Sequence, residues 1–532
     1  MIVLKIKRKL FSLVLVFLIV ISGCSLVNRN EAKAVIQAEG ELERSFYTIY
    51  CELNVEEKTL SAVQELDYYN NDDIEMNEVY FHVYPNAFKN KNTVPFLFDD
   101  FSSAYKRGFE PGCAEILSIT KTNENGSKLL KHSLIGEGET ILKVELDKPL
   151  KPHDRVNFKI DFKLQIPPAG ERFGYGENNF NLGNWYPVAA VYDKKDGWNL
   201  DKYYAIGDPF YSDASDYKVI IKAPKEYTIA ASGQLKDKKQ EGNVNCWTFS
   251  EKALRDFAFI ANKNFEVLEK EVDGINIKSY YYAGHGERGK EALNAGVDSI
   301  KLFNKLYGKY PYADYSIVET EFPSGMEYQA LVYISDKLYT PDYISDPLII
   351  TIVHETAHQW FYGIVGNDQI DEAWLDEGFA AYSETLFAEN SYGKKIGNEY
   401  YTRTVEDSVE DALSSNIIDG SLLKSLSEFE GWRDYGPTAY DRGAQLLNEL
   451  RKMLGDDTFF KIVRSYVKQY KFKIATTKDF VKVCEEVSGK DLTDFFKPWF
   501  NGNKKNENRA LYLIWLKTAV SGQCKCNIRQ SK

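Results

Sequence analysis

His354 and His358 stand four residues apart inside an apolar run, Pro347 to Val365, in a chain of 532 residues with only six histidines. The periodicity of that run predicts a helix over 346–365. Positions i and i+4 of a helix share one side, with Cβ atoms about 6 Å apart. Two such imidazoles either make ordinary hydrogen bonds or meet one metal ion, and zinc accepts imidazole nitrogen at about 2.0–2.1 Å. Glu355, one residue on from the first histidine, would flank the ion instead of binding it. It can take a proton from water and later hand it to a leaving amine. With histidine this rare and Glu about one residue in twelve, roughly 0.005 matches to His-Glu-x-x-His are expected by chance in such a chain.

A third ligand stands downstream. Glu377 lies nineteen residues after His358, in Trp374-Leu375-Asp376-Glu377-Gly378-Phe379-Ala380-Ala381-Tyr382. A second helix beginning there can return its carboxylate to the first. Two His and one Glu leave a coordination position open, which is the catalytic arrangement and not the closed structural one.

The flanking chain divides by pattern. Lys5, Lys7, Arg8 and Lys9 precede an apolar stretch, Leu10 to Ile21, then Ser22-Gly23-Cys24. This has the form of a secretory signal over residues 1–23, and it is short for a bilayer span of about 20 residues. Ile21-Ser22-Gly23-Cys24 resembles a bacterial lipobox, which implies lipid attachment at Cys24 and a protein held on the outer face of a membrane. Loss of the four basic residues takes the net charge from −12 to −16. That acidity argues against a nucleic-acid binder, which needs clustered Lys and Arg. Seven Cys are too few for a disulfide scaffold, and no pairing follows from their positions.

Residues 45–270 carry short alternating runs broken by Pro, Gly, Asn and Asp, as in Val79 to Tyr84, Val156 to Ile166 and Tyr217 to Ala223. They predict an all-β layer or sandwich. Residues 271–502 change to helical spacing over 287–307, 377–389, 443–454, 457–470 and 477–488. The expected fold class is therefore α+β, a β domain followed by a mainly helical domain. Residues 503–532 hold seven basic residues and one acidic residue, a basic tail with no assigned role.

The sequence resembles the gluzincin zinc aminopeptidases, the family of aminopeptidase N and leukotriene hydrolase. His354, Glu355, His358 and Glu377 match its signature without a gap. Phe81 to Ala87, Gly183 to Val188 and Asp256 to Phe259 extend the likeness into the β region. The resemblance implies a thermolysin-like catalytic domain, one Zn²⁺ per chain and peptide substrates cleaved from the amino end. It also implies roles for further residues. Tyr440, in Tyr440-Asp441-Arg442-Gly443, would stabilise the oxyanion, with Tyr435 a nearby competitor. Glu327, in Gly325-Met326-Glu327-Tyr328, would hold the substrate's free amine, although the family has Asn where Tyr328 stands. Glu384, seven residues after Glu377, would orient a ligand histidine. Many relatives continue into further modules, so a more open cleft is expected here. Two other readings remain at this stage: a zinc endopeptidase of the same architecture, and a non-catalytic peptide-binding lipoprotein. The preferred N-terminal residue and the oligomeric state are not legible.

Overall fold

The computed structural model describes residues 42–123, 126–194, 196–340 and 347–502. The signal segment, Cys24 and the basic tail 503–532 lie outside them. From Ser45 onward the described residues form one compact unit.

The first lobe is all β. Its largest sheet has eight strands in the order Gln234–Glu241, Val244–Leu254, Ser215–Pro224, Phe46–Asn54, Thr59–Tyr69, Arg155–Gln165, Cys113–Asn123 and Gly126–Leu129. The strand Arg155–Gln165 alternates buried and more exposed residues along its length, with Val156, Phe158, Ile160, Phe162 and Leu164 turned inward. This period of two follows from side chains alternating between sheet faces. Two four-stranded sheets and the two-stranded pair Tyr192–Asp193 and Gly197–Trp198 complete the described part of the lobe.

The second lobe opens with a five-stranded sheet ordered Phe265–Val272, Ile275–Tyr282, Asp314–Thr320, Leu331–Ser335 and Gly325–Met326. Its first strand, Phe265–Val272, starts before residue 271 and pairs antiparallel with the next. The central strand Asp314–Thr320 is buried along its whole length and pairs in parallel on both sides. Such a strand is covered on both faces, so alternation disappears and it reads poorly as a strand. The helix Gly286–Tyr307 crosses over between its parallel neighbours. Short helices at Lys394–Tyr401, Asp407–Ser414 and Thr493–Phe500 join the longer predicted ones. Among the described residues no helix is long and apolar enough to cross a membrane.

One hydrophobic cluster runs through both lobes, from Trp185, Phe158 and Tyr217 to Trp360, Trp374 and Phe480. Polar clasps fix the junction. Arg255, 2% exposed, donates to the carbonyls of Ser212 (3.0 Å), Tyr362 (2.5 Å), Gly363 (3.2 Å) and Lys473 (2.7 Å). Its own backbone N–H donates to Gln329 Oε1 at 2.7 Å. A buried guanidinium stays favourable only while its five donors are occupied. Arg255→Met strands several carbonyls in the interior at roughly 1–3 kcal/mol each. The expected result is a loss of about 3 kcal/mol or more of stability, read as a lowered unfolding midpoint. An unchanged midpoint would show that the clasp is dispensable.

Candidate active site

The two-histidine helix spans Pro347–Ala357, shorter than the predicted 346–365. His358 sits on the closing turn, with its N–H still bonded to His354 O at 3.3 Å. Beyond it the backbone tightens, as Gln359 N bonds Thr356 O (3.2 Å) and Trp360 N bonds Ala357 O (3.0 Å). Apolar residues continue past the helix end because the following turn is itself buried, so the hydrophobic run overstates the helix.

The glutamate helix, Trp374–Tyr392, packs against it and brings Glu377 to the histidines. His354 Nε2, His358 Nε2 and Glu377 Oε2 face one another at 3.1, 3.2 and 3.2 Å. Ligand atoms on a tetrahedral ion at 2.0–2.1 Å are separated by about 3.3 Å. The other ring nitrogens are already engaged. His354 Nδ1 donates to Glu384 Oε1 at 2.7 Å, and His358 Nδ1 to Phe361 O at 3.0 Å. That fixes the tautomers and leaves both Nε2 lone pairs aimed at one point with a carboxylate oxygen. Three acceptors converging in a buried place fit a divalent cation with nitrogen and oxygen ligands, and zinc suits the set.

The local charge balance points the same way. Burial pulls His358 down, but the Glu377 and Glu327 carboxylates outweigh it and push its pKa up to about 10. Burial opposes ionisation of Glu377, yet His358 and His354 hold it well below the carboxylate range. The site therefore demands positive charge. Glu355 is pushed up to about 8, chiefly by burial, against the lowering effect of both histidines. A carboxyl group titrating near neutrality suits proton transfer in both directions.

Tyr440 reaches the site from a π-helical stretch, Pro437–Arg442, ahead of the helix Gly443–Leu454. Its hydroxyl donates to Glu377 Oε1 at 2.7 Å, and its ring stacks on His354 at 5.5 Å between centroids. Two motif glycines allow this approach. A Cβ on Gly378 would lie 2.7 Å from the Gly443 Cα, so the two helices meet backbone to backbone. Tyr435 packs edge-on against Tyr440 at 5.7 Å, behind it.

Gly325 and Met326 form the edge strand of the five-stranded sheet, and Glu327 follows. A Cβ on Gly325 would fall 2.0 Å from Glu355 Oε1, so only glycine lets the strand pass the carboxylate. Glu327 is 3% exposed, not a solvated edge residue. Oxygens of Glu327 and Glu355 and a ring nitrogen of His358 lie within 4.8 Å of one another. Burial foremost, with Asp208 adding to it, pushes Glu327 up to about 8. The exposure that remains is on His354, at 11% of its side chain, and on the partly exposed Tyr440, while His358 and Glu377 are at 1% and 3%.

Sequence patterns do not show the supports around these groups. Gln359 accepts from Ala330 N (2.7 Å) and donates to Tyr328 O (3.2 Å), tying the strand end to the two-histidine helix. Tyr328 donates to Asn184 Oδ1 at 2.8 Å, and Gln329 N to Asp256 Oδ1 at 3.3 Å. The Asn184 and Asp256 segments are the β-region parts of the family likeness, and here they hold the residues that flank Glu327. Tyr400 donates to the second oxygen of Glu384. Arg172 pairs with Asp208 and lies 2.9 Å from the Met326 sulfur. The other histidines serve elsewhere: His82 is a core residue bonded to Asn199 O at 3.2 Å, and His285 bonds Glu319 at 2.7 Å. Cys51, Cys113, Cys246 and Cys484 are free thiols.

A β lobe is thus joined to a helical lobe that carries a two-His, one-Glu donor set suited to a divalent cation. Residues 291–499, within the second lobe, match the Peptidase family M1 domain. The M1 zinc metallopeptidase from Deinococcus radiodurans has the same fold, with a TM-score of 0.60 and 17% identity, over 88% of this chain and 96% of that one. Aminopeptidase M1-D of Oryza sativa subsp. japonica is 25% identical over 296 residues, 53% of this chain and 34% of that protein. Probable aminopeptidase 2 of Sulfurisphaera tokodaii is 26% identical over 326 residues, 56% and 41% respectively. The chain thus spans about a third to two fifths of these curated relatives' length.

If Glu384 sets the His354 tautomer, Glu384→Gln weakens zinc binding about 10- to 100-fold. Competition against a chromophoric chelator measures this, and an unchanged affinity would remove Glu384 from the role.

Proposed function

We propose that this chain is a zinc-dependent aminopeptidase that removes N-terminal residues from peptides. The observation that carries the reading is one buried recess in which Glu327 and Glu355 stand beside the His354, His358 and Glu377 donor set. Zinc held by those three residues supplies the positive charge that acidifies water and polarises the scissile carbonyl. Glu355, beside the donor set, receives the proton from the attacking water and delivers it to the departing amine. Tyr440 turns its hydroxyl toward the carbonyl oxygen as charge develops there. Glu327 binds the α-ammonium and so sets the cut one residue from the amino end.

Glu355→Gln is expected to keep stoichiometric zinc and lose roughly 10²- to 10⁴-fold in turnover. Tyr440→Phe is expected to lose about 10²- to 10³-fold. A chelator abolishes activity in the native enzyme, and an N-acetylated peptide resists cleavage while its free-amine copy is cut. Equal cleavage of the two peptides would instead identify an endopeptidase. Full turnover in the Gln variant would overturn the mechanism.

The N-terminal pattern supports a lipid anchor on Cys24 and a place on the outer face of a bacterial membrane. Cys24→Ser is then expected to move the protein from the membrane fraction to the soluble fraction. Continued membrane association of that variant would refute the anchor.

A further inference from the structure

Gln369 lies on the turn between the two-histidine helix and the glutamate helix, outside every motif discussed above. The turn is pinned on both sides of it. Asp368 Oδ1 accepts from Ile370 N (3.0 Å) and Asp371 N (3.2 Å), while Ile370 O accepts from Leu426 N (2.8 Å). Between these anchors the Gln369 side chain enters the interior, 2% exposed, and its Nε2 donates to Glu327 Oε1 at 3.1 Å. Its carbonyl oxygen Oε1 has no hydrogen-bond partner among the described residues, and the same side chain also stands against the fully buried Asp376 carboxylate, to which its amide donates. Asp376 Oδ1 accepts from Glu377 N at 2.8 Å.

Unpaired buried acceptors cost free energy unless a ligand supplies donors. Here one, Gln369 Oε1, stands on a side chain bonded to the Glu327 carboxylate, whose field is shared by Asp376, Glu377 and Asp208. A primary ammonium offers three donors and a positive charge. We infer that Gln369 is a substrate-positioning residue of the ammonium recess, holding the Glu327 carboxylate through Nε2 and presenting Oε1 to the substrate's α-ammonium. This rests on the aminopeptidase reading and adds a specificity residue to it. A Leu or Met at this position would have the volume but neither the donor nor the acceptor.

The test is calorimetric titration of the zinc-loaded protein with an α-amino hydroxamate and with its des-amino copy. The native protein is expected to prefer the amino form. Gln369→Met is expected to weaken the amino form about 10- to 100-fold, the range of a hydrogen bond to a charged group, and to leave the des-amino form unchanged. Gln369→Asn keeps an amide but shortens its reach, and guards against misfolding of the Met variant; it is expected to shift the same preference in the same direction. Unchanged amino-form affinity in either folded variant overturns the inference. Equal weakening of both ligands also overturns it, because the role is then merely structural. A native protein indifferent to the amine would overturn the aminopeptidase reading itself and the inference with it.

Discussion

Three electron-pair donors, His354 Nε2, His358 Nε2 and Glu377 Oε2, are held within 3.2 Å of one another in a largely buried place. Such an arrangement is repulsive unless positive charge occupies its centre. The surrounding structure can be understood as what keeps those atoms from relaxing apart. Glu384 and Phe361 O fix the ring orientations, and Tyr440 takes the second oxygen of Glu377. Each contact uses the side of a ligand that faces away from the centre, so the ligands keep only the direction that binds. A metal enters such a site without a large reorganisation cost, because the fold has already met it.

The same logic explains close backbone approaches that side-chain chemistry alone would not require. Gly378 and Gly443 meet at the crossing of the two helices, and this is what lets the Tyr440 hydroxyl reach Glu377. Gly325 lets an edge strand graze the Glu355 carboxylate. The motif glycines are therefore geometric: a methyl group at Gly325 would collide with the Glu355 carboxylate, and one at Gly378 or Gly443 with the backbone of the facing helix.

The β lobe contributes none of the three clustered donors, yet it helps to place Glu327. Asn184 and Asp256 grip Tyr328 and Gln329, and Arg255 ties Gln329 to the turn after the two-histidine helix. Glu327 is thus positioned by residues on both sides of the lobe junction. Tyr328, at the position where the family resemblance implies Asn, reaches across with its phenol to Asn184. The departure is accommodated in packing between the lobes and not at the reacting centre.

What the sequence determined by itself was the donor set and its chemistry. Spacings of four within a helix, and nineteen from His358 to Glu377, are local or nearly local facts. Helical geometry turns them directly into shared faces. The lobe order followed from the change of hydrophobic period for the same reason. Tertiary structure alone decided the rest. The central parallel strand Asp314–Thr320 hides its period because both faces are covered, and the two-histidine helix ends earlier than its apolar run because the next turn is buried too. Gln359, Gln369, Tyr400 and Arg255 belong to no motif. Each acts on a partner brought near only by folding: Gln369 reaches Glu327 across 42 positions of chain, and Arg255 reaches Lys473 across 218. A spacing rule cannot encode such contacts, since the intervening chain sets the distance, and a glutamine in a turn looks alike in sequence whether it faces water or a buried carboxylate.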